Sequence, residues 1–108
     1  MATADDLRAM ALALADTVAC PHFDRTAFKA KRTYVTLAPD GLTANFKFMP
    51  DEQEFKCLLA PDCFAPVPGG WGRQGWTCAM LAPMTAPELS AALAMAYAHA
   101  LPVAKARR

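Results

Sequence analysis

Reactive side chains are scarce in this chain. Its two histidines are His22, in the run Cys20-Pro21-His22, and His99, among alanines near the C-terminus. Its single serine, Ser90, lies inside a helical pattern where no nucleophile elbow forms. Asp51, Glu52 and Glu54 follow Pro50 as acids follow proline in the first turn of a helix, so they do not form a separated acid–base pair. Cys20 and His22 offer a metal two ligands where three or four are needed, and the remaining cysteines, Cys57, Cys63 and Cys78, make no CxxC pair. The expectation is a non-enzymatic protein without metal or cofactor, carrying free thiols in a reducing cytoplasm.

The segment with the most binding character is "PVPGGWGRQGWT", residues 66 to 77. It holds four of the five glycines and both tryptophans. It is no phosphate loop, because GxxxxGK is missing and the glycines precede a strand pattern instead of joining a strand to a helix. Trp76 opens an alternating strand that is expected to turn its indole inward. Trp71, between glycines, is the better candidate for an exposed contact, with Arg73 and Gln74 beside it.

These residues need a frame, and 108 residues suffice for one domain with a modest core, spanning 1–108. No apolar run reaches the 18 or so residues of a membrane span, and Asp5 and Asp6 stand where a secretory signal carries basic residues. The expected location is therefore cytoplasmic. Net charge is +1, so any electrostatic function must be local. Lys105, Arg107 and Arg108 add a basic tail.

Leu7, Met10, Ala11, Leu14 and Val18 recur at helical spacing and predict a helix over roughly 4 to 19, with Pro21 just beyond its end. The period then changes to two. "AFKAK", "TYVTL" and "LTANFKF" predict three antiparallel strands, with Phe28, Leu42, Ala44, Phe46 and Phe48 facing a core. "PDEQEFKCLLA" predicts a short helix, "WTCAML" a strand, and "TAPELSAALAMAYAHAL" a last helix opened by a capping box of Thr85 and Glu88. The fold class is α+β: an antiparallel sheet of four to five strands in the order α-β-β-β-α-β-α. The N- and C-terminal helices pack on one face, and the short helix lies between strands three and four.

Covering one face leaves the other to water. On it the alternation puts Lys29, Lys31, Thr43, Asn45 and Lys47, and also Thr77, with Tyr34 its one aromatic; Arg32 and Arg73 stand on turns at the margin. Lysines interleaved with threonine and asparagine can follow phosphates, although a one-sided sheet keeps such residues on its wet face in any case.

The chain also resembles the MmcQ/YjbR family. The resemblance is carried by "ALALADTVACPHFDRTAFKAKRTYVTL", the "NFKF" strand, "PDEQEFKCLLA", "PVPGGWGRQGWT" and the closing helix, in that order and over nearly the whole chain. "PHF" followed by "AFK", and "GRQGW", are its most specific marks. The resemblance implies a CyaY-like α+β fold and a DNA-binding role. Lys31-Arg32 stands where the family often has glycine then lysine, and Thr77 where valine is common after Gly-Trp. Frataxin-like iron binding is not implied, since Asp5, Asp6 and Asp16 make no acidic ridge.

Two functions follow as expectations. In the first, the protein binds DNA with little sequence preference, through Lys29, Lys31, Arg32, Lys47 and Arg73 on phosphates and Asn45 and Gln74 as neutral partners. In the second, it is a binding module for a small molecule or a protein, using His22, Trp71, Arg73 and Gln74.

Overall fold

A computed structural model describes residues 1–101; the basic tail of Lys105, Arg107 and Arg108 lies outside them. The elements are α1 (Ala4–Leu12), β1 (Val18–His22), β2 (Arg25–Lys29), β3 (Thr33–Leu37), β4 (Thr43–Lys47), α2 (Pro50–Leu59), β5 (Phe64–Pro66), α3 (Gly70–Arg73), β6 (Trp76–Met80) and α4 (Ala86–Ala98). One antiparallel sheet of six strands runs in the order β1-β2-β3-β4-β6-β5.

Both terminal helices pack on one sheet face, as the two apolar stripes predict. Leu7 and Ala11 of α1 and Leu89, Ala92, Leu93 and Ala96 of α4 join Phe28, Val35, Leu37, Phe46, Phe48 and Ala79 in a single core. Each large side chain buried there contributes about 1.5–3 kcal/mol. Capping boxes start both helices: Thr3 with Asp6, and Thr85 with Glu88.

The first helix is shorter than its stripe suggests. It ends at Leu12, the chain turns through Asp16 at φ +64°, and residues expected in its last turns become strand β1. Tertiary bonds hold this bend: Tyr97 donates its hydroxyl to the Ala15 carbonyl at 2.7 Å, and Thr17 Oγ1 lies 2.9 Å from Tyr34 Oη. Pro21 therefore sits within an edge strand, where a missing N–H is tolerated. The opposite edge is the three-residue β5, flanked by the prolines that read as irregular connection.

Three facing assignments need correcting. The β2–β3 register slips between Phe28 and Lys29, and Tyr34 accordingly turns to the helices. Its ring meets Tyr97 edge-on at 5.5 Å, and its hydroxyl donates to the Ala11 carbonyl. Leu42 stands 63% exposed, because the β4 ladder begins at Thr43 and Leu42 belongs to the turn that Asp40 caps.

The third correction is in β6, where the facing is the reverse of the expectation. Phe46 pairs with Thr77 and Lys47 with Trp76, so Thr77 and Ala79 enter the core while Trp76 and Cys78 face away from it. The cause is a backbone contact. Gly75, at φ +106°, lies so close to Phe48 that a Cβ on it would come within 1.8 Å of the Phe48 carbonyl oxygen. The Gly75 carbonyl accepts from Phe48 N–H and from the buried Thr77 hydroxyl, which fixes the register and satisfies that hydroxyl.

Candidate functional site

Pairing across the six strands sets out the face opposite the helices. Cys20, Ala27, Thr36, Asn45, Cys78 and Ala65 stand in one register row across it. The row is neutral, so the basic residues do not form a continuous stripe.

Most of the expected phosphate-binding residues gather at one end. Lys29, Lys31 and Arg32 are exposed around the β2–β3 hairpin, whose backbone is tied to the end of α4 by Lys31 N–H on the Ala100 carbonyl. Lys47 is engaged: its ammonium donates to the carbonyls of Gln74 at 2.7 Å and Phe48 at 3.2 Å. Desolvation pulls its pKa below the usual lysine range, opposed by Glu52 and reinforced by Arg32. Lys47 thus joins β4 to the α3–β6 junction through two of its three ammonium N–H groups. Arg32 and Lys47 line a cavity of about 590 Å³ beside the paired His99 and Glu52, whose Nε2 and Oε1 lie 2.7 Å apart.

A second cavity, of about 220 Å³, lies over the neutral face. It is lined by His22, Phe23, Arg25, Thr36, Asn45, Val67, Trp71 and Trp76. Each side chain is there for a local reason. His22 and Arg25 pair across the β1–β2 hairpin, and Phe23 and Asp24 form its two-residue turn. Thr36 and Asn45 pair directly across β3 and β4. Trp71 rides on the single turn of α3, which packs down because Gly72 has no Cβ: one there would lie 1.8 Å from the Val67 carbonyl oxygen. Gln53 of α2 clamps the same segment by donating to the carbonyls of Gly72 and Trp76, both at 2.9 Å.

The cavity's cation is held rigidly. Arg25 donates through Nε to Thr36 Oγ1 at 2.9 Å and through Nη2 to the Thr36 carbonyl at 3.1 Å. Among the described residues it has no carboxylate within ion-pair distance. The three aromatic side chains are accessible to different degrees: Phe23 is 94% exposed, Trp71 63%, and Trp76 half-buried.

Of the residues expected to form a ligand site, His22 and Trp71 meet in this cavity, and so does Asn45 from the nucleic-acid set. Arg73 and Gln74 are exposed on and just after α3, outside its lining. Phe23, Arg25, Thr36, Val67 and Trp76 were not anticipated. A sequence signal for the first two exists, since "VACPH-FD-RTAFK" is two short strands around a two-residue turn. The helical stripe running up to Val18 obscures it.

These features define a class: an α+β domain with two helices on one face of an antiparallel sheet and an aromatic-walled cavity over the other. The fold matches the crystal structure of DR2400 from Deinococcus radiodurans, a protein with a DUF419 domain, at a TM-score of 0.77. The two chains share 24% identity over 90% of this chain and 77% of that one. DUF419 corresponds to the MmcQ/YjbR family that the motifs resemble, and at this identity the likeness is one of fold. No family model matches the chain, and none of the curated proteins does.

Proposed function

We propose that this protein is a small-molecule-binding module whose site is the cavity over the neutral sheet face. One observation carries the reading: Phe23, Trp71 and Trp76, from three separate segments, converge on one cavity with a positioned arginine and an asparagine on its floor. An apolar concavity with a few convergent polar groups is the usual form of a ligand site, and at about 220 Å³ this one suits a small ligand. The test is an NMR titration with one- and two-ring aromatic compounds, read at the two indole N–H signals. Binding compounds should shift Trp71 and Trp76 together, and Trp71→Ala should weaken them about tenfold or more. If no compound moves either signal at millimolar concentration, the reading fails.

A second reading is supported by the exposure of Lys29, Lys31 and Arg32 around one hairpin. There the hairpin would contact nucleic-acid phosphates, with weak affinity that falls steeply with salt. A fluorescence titration with duplex DNA at low salt tests it, and no binding at about 100 μM rules it out.

A further inference from the structure

Within the small-molecule reading, on which this step rests, we infer that the cavity's ligand is a planar aromatic acid: one or two rings bearing a single carboxylate or phosphate. The anionic group meets Arg25. One edge of that guanidinium, Nε and Nη2, is committed to Thr36, which fixes its plane and leaves Nη1 as the donor with no partner among the described residues. The titratable side chains lining the cavity are Arg25 and His22, so no carboxylate opposes an incoming anion. Asp24 belongs to the adjoining turn and is exposed outside the lining. A charge-assisted bond from a preoriented arginine is worth roughly twice a neutral one.

The rings of the ligand meet Trp71, Trp76 and Phe23, and the Asn45 amide, half-buried on the floor, can read a polar ring edge. Phe23 gives independent support. It occupies the first central position of a two-residue hairpin turn, at φ +58°, where both favoured turn types call for glycine or asparagine. An aromatic side chain there strains the backbone, and 94% exposure means that core packing gives nothing in return. The Phe23 ring meets the neighbouring His22 edge-on at 5.0 Å, and a ligand in the cavity would give the exposed ring the contact that offsets its turn preference.

The experiment compares 2-naphthoate with its uncharged primary amide, 2-naphthamide, by NMR titration of the full chain. The expected result is that naphthoate shifts both indole signals and binds at least about tenfold more tightly than the amide. Arg25→Gln should abolish that preference, bringing naphthoate affinity down to that of the amide; an unchanged fold is checked by circular dichroism and the amide spectrum. Equal affinity for acid and amide, or a preference that survives Arg25→Gln, overturns the anion assignment and leaves the cavity reading standing. Binding of neither compound, together with silence toward other one- and two-ring probes, overturns both. Should Arg25→Gln fail to fold, Arg25→Lys replaces it. Lysine keeps the charge but not the fork, so the acid preference should fall without vanishing; a preference unchanged by lysine overturns the proposal.

Discussion

Phe23 and Gly75 both hold positive φ, one in an exposed hairpin turn and one in close backbone contact within the fold. Phe23→Gly should relieve a strained turn, so we expect unfolding stability to rise by about 0.5–1 kcal/mol in urea denaturation while affinity for aromatic ligands falls. A loss of stability instead would show that the ring packs structurally. Gly75 is the opposite case. Its φ is +106° and a Cβ on it would lie 1.8 Å from the Phe48 carbonyl oxygen, so Gly75→Ala should destabilise by about 2–4 kcal/mol. Because this contact sets Phe46 opposite Thr77, the variant should also change the environment of Trp76, visible as a shift in its fluorescence or indole N–H signal.

Among the elements, α4 illustrates local chemistry that can be read directly from sequence. Thr85 Oγ1 accepts from Glu88 N–H at 3.2 Å, and the Glu88 carboxylate accepts from Thr85 N–H at 2.7 Å. The Thr85 backbone N–H, aided by the Thr85 side chain, holds the Glu88 carboxyl below its ordinary pKa. A carboxylate with a depressed folded pKa stabilises above its unfolded pKa and loses that contribution as pH falls through the folded value. Glu88→Gln should therefore destabilise at pH 7, with the difference from wild type shrinking below about pH 4, as read by urea unfolding at both pH values. Thr85→Ala should cost about 0.5–2 kcal/mol. By contrast, α1 and β1 could not be divided from sequence. Apolar spacing continues through Leu14 to Val18, and the bend at Asp16 is held by Tyr97 and Tyr34, residues far away in the chain.

At the scale of the whole molecule, charge and cavity occupy different parts of the surface. Lys29, Lys31 and Arg32 cluster near the end of α4, whereas the aromatic cavity opens over the neutral row of Thr36 and Asn45. Reversing Lys29 and Lys31 to glutamate should remove any salt-dependent binding to duplex DNA and leave aromatic-ligand affinity within about twofold. Loss of both together would mean that the two surfaces form one site. Lys47 is unsuitable for that test, because replacing it frees the carbonyls of Gln74 and Phe48 and disturbs the α3–β6 junction.

The sequence by itself determined the α+β class, the β2–β3–β4 meander, α2, α4 and the shared helix-covered face. Each of these is written in local periodicity, capping and turn residues. It also offered His22, Trp71, Arg73 and Gln74 as candidate ligand residues, and the cavity lining includes the first two. Only the tertiary structure decided that β1 and β5 complete six strands, that Trp76 faces the cavity while Thr77 enters the core, and that Arg25 is fixed on Thr36. In each case a contact between distant segments overrides the local preference. A tryptophan beginning a strand favours the core on hydrophobicity alone. Which way it points is set by register, and here register follows from the approach of Gly75 to Phe48, 27 residues away in the chain.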